Sequence, residues 1–242
     1  DSSGNVGSCG TGVTVVDTLQ PQIACPAPAT GECKIGGAAV PLQAQASDQC
    51  DLTPTVTRDG PALFPLGTTP VQFTAKDDSG HSASCQTQVH IADTLPPGIL
   101  CPMPRTGECK AGGTAVPMQA KAFDLCDPSP AITSNVRPLY DLGTTPLSFT
   151  TVDDAGHAAT CQSSVTIADT LPPQLTCPPP RTDECKRGGN VVPMEAKAAD
   201  LCDLTPTLVG TALASYGLGT TPISFTATDD AGHPSSCTTH VT

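Results

Sequence analysis

The feature that most constrains this chain is a period. Cys25, Cys101 and Cys177 are spaced by 76 residues, and the same spacing relates Cys33, Cys109 and Cys185, then Cys50, Cys126 and Cys202, then Cys85, Cys161 and Cys237. No insertion or deletion breaks the register, so "KDDSGHSASC" at 76–85 returns as "VDDAGHAATC" at 152–161 and "TDDAGHPSSC" at 228–237. Self-similarity on this scale means an array of like units, here 17–92, 93–168 and 169–242. The same offset lays "SGNVGSCGTGVTVVDT" (3–18) on 79–94, so residues 1–16 read as the last strand of a preceding unit and account for Cys9, the thirteenth cysteine. The chain is therefore expected to be a window on a longer array.

Within a unit the pattern is that of strands. In "TAVPMQAKA" the residues Val116, Met118, Ala120 and Ala122 alternate with small or polar ones, which predicts a strand with one buried face. "PAITSNV" is a weaker strand, and "DLGTTPLSFTTVDDAGHAATCQSSVTIAD" reads as turn, strand, tight hairpin, strand. No window carries a helical period. Some seven short strands per unit, separated by Gly and Pro turns, predict an all-β fold of tandem immunoglobulin-like β-sandwiches.

With 3% aromatic residues and no tryptophan, each core must be small, and small secreted units make up the deficit with disulfides worth roughly 2–4 kcal/mol each. Thirteen cysteines without a CxxC pair indicate disulfides made in an oxidising compartment rather than zinc ligands. This places the protein at the cell surface or outside the cell. The net charge of −12 excludes nucleic acid and anionic membrane as natural partners, and no segment is apolar for long enough to span a bilayer.

Two kinds of chemistry are candidates. Each unit holds histidine, aspartate, serine and threonine close together, but His81, His157 and His233 follow a glycine in a hairpin turn where nothing is expected to orient them as bases, so no catalytic site is assigned. Calcium favours clustered carboxylates, and the hairpin Asp153 and Asp154, the loop Asp124 and Asp127 and the linker Asp93 are expected to converge where one unit joins the next. Asp and Gly are also what a tight turn requires for local hydrogen bonds and positive φ. The "LPP" and "LQP" linkers favour extended backbone and hold units semi-rigidly apart.

These residues together resemble the hyalin repeat (HYR) family of immunoglobulin-like extracellular modules. The likeness covers the whole repeat: "DTLPP" at 93–97, "CP" at 101–102, "DLCD" at 124–127, "FPLGTTP" at 64–70, and "FTAKDDSGH" followed by a cysteine and an alternating last strand. The family's asparagine after the glycine stands as Asn5 in the leading segment and is histidine in the three full repeats, while the extra cysteine of "GEC" or "DEC" is similar to bacterial-type arrays. The resemblance implies non-enzymatic modules used in adhesion or as spacers in long surface proteins. It also implies Cys25 with Cys85, leaving Cys33 with Cys50, and by the register Cys101–Cys161, Cys109–Cys126, Cys177–Cys237 and Cys185–Cys202, each unit closed on itself. The residues themselves leave Cys50 with Cys85 open as well. The expected function is a stalk, fibre or surface filament that self-associates or meets other surface proteins. The alternative is an adhesin or receptor ectodomain whose repeats bind a protein or glycan, possibly with calcium.

Overall fold

The computed structural model describes every residue except Asp1, Asn5 and Gly7, so the asparagine noted in the leading segment lies outside the described residues. The fold is all-β, with no helix among the described residues and none long and apolar enough to cross a membrane. Contacts divide the chain into two compact units. One holds Asp1–Pro97 with the loops Phe123–Pro130 and Asp153–His157; the other holds Gly98–Ala122, Ala131–Val152 and Ala158–Thr242.

In the first unit β1 (Gln22–Ala24) is followed by β2 (Ala29–Glu32), β3 (Gln45–Ser47), β4 (Thr55–Asp59), β5 (Gly67–Lys76) and β6 (Ser82–Ala92). β1 pairs with β3, and a second sheet runs in the order β2-β6-β5-β4. The β5–β6 hairpin is the organising element. Its strands are 10 and 11 residues long and alternate strictly, so that Val71, Phe73 and Ala75 meet Val89 and Ile91 under Phe64, all at most 2% exposed.

The second unit repeats the scheme with β7 (Gly98–Leu100), β8 (Arg105–Glu108), β9 (Lys121–Phe123, whose last residue belongs to the first unit), β10 (Ala131–Ser134), β11 (Gly143–Val152) and β12 (Ala158–Ala168). It continues with β13 (Gln174–Thr176), β14 (Lys197–Ala199), β15 (Thr207–Gly210), β16 (Thr221–Thr228) and β17 (Pro234–Val241). Leu147, Phe149, Val165, Ile167 and Tyr140 form one core, and Ile223, Phe225, Val241 and Tyr216 another. Both tyrosines place a hydroxyl where Phe64 has none, and each accepts a backbone N–H, from Arg137 at 3.2 Å and from Leu213 at 3.0 Å.

Two expectations are corrected. A full repeat carries six strands, not seven. The segment from 115 to 120 keeps its alternating burial, with Val116 and Met118 buried, but joins no ladder until β9, because Pro117 has no N–H to give to one. The third repeat departs further: Asp183 stands where Gly31 and Gly107 lie, and the strand equivalent to β8 is reduced to the single bridge Arg181↔Val241. At Gly107 an added Cβ would sit 3.2 Å from Ile167 Cδ1 and 3.4 Å from Val116 Cγ2, so a side chain there requires these neighbours to shift.

Candidate functional site

The cysteines define the site. Cys25–Cys85, Cys101–Cys161 and Cys177–Cys237 each cross-link one sandwich at a sequence separation of 60. The remaining pairs correct the self-contained picture: Cys33 is bonded to Cys126 and Cys109 to Cys202, each at a separation of 93, and Cys50 and Cys185 are exposed free thiols, as is Cys9. Neither Cys33–Cys50, Cys109–Cys126 and Cys185–Cys202 nor the alternative Cys50–Cys85 forms. The reason lies in the long hairpin. β2 runs parallel to the end of β6, and the Cys33 N–H donates to Ala92 O at 2.9 Å. Cys50 sits at the start of β6, where the Asp78 N–H donates to Asp51 Oδ2 at 3.2 Å. An 11-residue strand separates the two ends by roughly 35 Å, far beyond disulfide reach.

Each inter-repeat cystine is set among three further contacts. Thr94 donates both its N–H (2.9 Å) and its hydroxyl (2.5 Å) to the Glu32 carboxylate, and the Ile35 N–H donates to Leu125 O at 2.7 Å. Thr170, Glu108, Ala111 and Leu201 reproduce the arrangement with bonds of 2.9, 2.5 and 2.8 Å. The two hydrogen bonds from threonine hold the Glu32 and Glu108 carboxyls below their ordinary pKa. In the loop that carries the second cysteine, Asp124 Oδ1 accepts the N–H groups of Cys126 (2.7 Å) and Asp127 (2.9 Å), which lowers its pKa in the same way. Asp127, buried, accepts the Ser129 N–H at 2.8 Å. The "DxCD" stretch is thus a pair of linked Asx turns.

Beside these turns lies the hairpin "DDAGH". Gly156, at φ 93°, closes it, and Asp153 Oδ1 accepts the His157 N–H at 2.8 Å. The other oxygen, Asp153 Oδ2, is 3.3 Å from His157 Nδ1, and that nitrogen lies 4.0 Å from Asp93 Oδ1. The ring nitrogen thus lies near two carboxylates, a setting the turn alone did not announce, and it makes no hydrogen bond to either. His81 with Asp77 (3.3 Å) and His233 with Asp229 (3.2 Å) repeat the pair.

Of the five aspartates expected to converge, the structure therefore brings Asp93 and Asp153 together around His157, with Asp124 near enough to act on Asp93 electrostatically. Asp127 and Asp154 line an adjacent cavity of about 460 Å³ that Asp93 also borders; Lys34, Ile35 and Leu66 contribute to its walls, and a cavity of about 420 Å³ recurs beside Cys109. Burial first, then repulsion from Asp153 and Asp124, pushes the Asp93 carboxyl up, and burial with Asp229 and Asp200 does the same to Asp169. Asp93 Oδ1 and Asp153 Oδ2 are buried and accept no hydrogen bond. Two such oxygens are suitable donors for a hard cation, and the imidazole supplies a nitrogen or a competing positive charge. The sulfurs of Cys33 and Cys126, close by, are spent in a disulfide and ligate nothing.

The site thus belongs to a disulfide-braced, immunoglobulin-like module whose ends are polar and whose sheets are apolar. The HYR domain family model matches residues 16–91. The chain is 28% identical over 271 residues to Hyalin of Strongylocentrotus purpuratus (100% of this chain, 22% of that protein) and 30% identical over 196 residues to Hyalin of Lytechinus variegatus (73% and 37%). The chain thus spans about a fifth and just over a third of the length of these two relatives. These matches support the HYR family and carry nothing about a bacterial-type array. Among solved structures it is similar to titin domains z1z2 in complex with telethonin (TM-score 0.39, 13% identity, 64% of this chain and 100% of that one). It is also similar to the protocadherin gammaB4 extracellular domain (TM-score 0.36, 12% identity, 91% and 49%).

Proposed function

We propose that the chain is an extracellular, non-enzymatic repeat protein of adhesion type, with repeats at 17–92, 93–168 and 169–242, that forms a stalk, fibre or surface filament by end-to-end linkage. The observation that carries this reading is the pair of cystines Cys33–Cys126 and Cys109–Cys202, which tie consecutive repeats covalently at a constant separation of 93 residues. A bond that skips from one repeat to the next serves a chain that must stay in register along its length. Electron microscopy of the oxidised and the reduced protein tests it. Straight rods of uniform length are expected before reduction and bent, variable ones after; particles equally bent in both states refute it.

A second reading is an adhesin or receptor ectodomain whose repeats hold a protein or glycan. It is favoured by the exposed leucine at one register position, Leu66 (67%), Leu142 (68%) and Leu218 (94%), the first two in the walls of the cavities already described. In either case calcium is proposed at Asp93 and Asp153, with Asp124, Asp127 and Asp154 in support. Calcium titration followed by calorimetry decides: binding that Asp153→Asn abolishes supports the assignment, and no heat beyond dilution removes it.

A further inference from the structure

Three buried polar atoms at one hairpin have no hydrogen-bond partner: Asp93 Oδ1, Asp153 Oδ2 and His157 Nδ1. All three residues belong to the first compact unit, and one ligand atom from each lies within 4.8 Å of the other two. The Asp153 side chain is 0% exposed and that of Asp93 7%. The other oxygen of Asp153 accepts the His157 N–H at 2.8 Å, which turns Oδ2 toward the ring. Two buried carboxylates without partners carry a charge that a single imidazolium would only half balance, whereas a divalent cation balances it. The arrangement recurs 76 residues earlier. Asp17, Asp77 and His81 form a group of the same kind, His81 Nδ1 lies 3.3 Å from Asp77 Oδ2, and both of these atoms are again buried and unpartnered. In the third repeat His233 Nδ1 and Asp229 Oδ2, 3.2 Å apart, are placed to share a hydrogen bond, so that pair is closed without a ligand.

We infer that Asp93, Asp153 and His157 form a binding site for a divalent transition metal of the zinc class, held by one oxygen of each carboxylate and by His157 Nδ1. The inference rests on the reading above that these carboxylates take a cation, and it narrows which one. Calcium is satisfied by roughly six to eight oxygens and does not seek nitrogen, whereas zinc takes imidazole and carboxylate together in a tetrahedral shell. Ligand atoms about 2.0–2.2 Å from one ion at tetrahedral angles stand roughly 3.3–3.6 Å apart. The 3.3 Å between His157 Nδ1 and Asp153 Oδ2 already matches, and the 4.0 Å to Asp93 Oδ1 closes with a small side-chain adjustment. His157 ligates as the tautomer that carries its proton on Nε2, and water completes the shell. Calcium at the same two oxygens leaves the nitrogen unused and is the weaker occupant. Asp17, Asp77 and His81 make a second copy of the site.

Zinc binding to the whole chain is measured near neutral pH by calorimetry and by dialysis with metal analysis. Cys9, Cys50 and Cys185 are first alkylated, so that no thiol competes for the ion. The parent is expected to bind one zinc ion more than His157→Gln and one more than Asp93→Asn, and to keep it in a large excess of calcium. A cooperative melt in EDTA shows that each variant is folded, and zinc should raise the melting temperature of the parent above that of either. Cobalt(II) in place of zinc should give the visible absorption of a tetrahedral ion, weaker by one site's share in His157→Gln. Zinc bound as well by either variant as by the parent, or no zinc bound by the parent, overturns the inference. If the parent binds no zinc but gives a calcium heat that Asp153→Asn abolishes, the calcium reading survives that failure; if neither ion gives heat, both fall.

Discussion

The hairpin β11–β12 and the joint beside it are held by different physics. In the hairpin, Leu147, Phe149, Val165 and Ile167 are at most 2% exposed and the Cys101–Cys161 bond only braces what burial already holds. At the joint of Cys33 with Cys126 the stabilising contacts are polar or covalent, namely two Asx turns, a glutamate held by a threonine and a cystine, and they stand beside a pair of buried, unpartnered carboxylates. Burial of apolar surface does not depend on redox state or on a bound cation, whereas the cystine depends on the first and the buried carboxylates respond to the second. The repeats are therefore constant, and the linkage between them responds to the medium.

The strongest way to break the contrast is to attack the hairpin. Phe149→Ala removes a ring buried to 2% exposure from a core with few aromatics, and a loss of about 3–5 kcal/mol is expected. Calorimetry should show a large fall in the melting temperature. A loss under 1 kcal/mol would mean that the disulfides, not the core, carry the fold.

Removing disulfides sharpens the contrast next. Chain-entropy arguments scale with the logarithm of loop length, so separations of 60 and 93 predict nearly equal effects of about 4 kcal/mol for Cys25–Cys85 and Cys33–Cys126. The surroundings predict otherwise. The loop at 124–129 can open without unfolding the hairpin, so Cys33→Ser with Cys126→Ser is expected to lower the melting temperature less than Cys25→Ser with Cys85→Ser. Hydrogen exchange should show lost protection at Cys126 and Asp127 while Val71 and Val89 stay protected; uniform loss would mean that joint and hairpin unfold as one.

The same contrast explains what the sequence reveals. The hairpin was legible because alternation of period two, as in Val71, Phe73 and Ala75, is a direct imprint of one buried face. The joint was not, because in a periodic sequence Cys50 and Cys126 are the same motif: pairing Cys33 with either satisfies the same pattern. Only the length of β6, which carries Cys33 to the far end of the repeat, decides between them. At His157 the local motif supplies one carboxylate, Asp153 at 3.3 Å, but the second, Asp93 at 4.0 Å, lies in the linker 64 residues earlier, and no local motif announces it. A "GEC" cysteine directly following a strand that pairs with the last strand was the one signal available.

The smallest expected effect probes the buried carboxylates. Asp93 has its pKa raised by burial and by Asp153 and Asp124, with His157 opposing, so the folded state holds its proton more tightly than the unfolded chain does. Stability from this group is therefore lost as pH rises from the ordinary aspartate value through the raised one, and the full penalty is present near neutral pH. Glu32 and Asp124, whose pKa values are lowered, act oppositely: their stabilisation is present above the ordinary carboxylate range and is lost as pH falls through the lowered values. Asp93→Asn isolates the first contribution, since asparagine has Asp93's shape without its charge. In EDTA the variant is expected to melt above the parent near neutral pH, and the gap should close at about pH 3, where the parent's Asp93 is protonated as well. Calcium should also close the gap at neutral pH by stabilising the parent alone. A variant that melts below the parent in EDTA would show that Asp93 already has a cationic partner in His157 strong enough to outweigh the repulsion, and that the joint needs no metal.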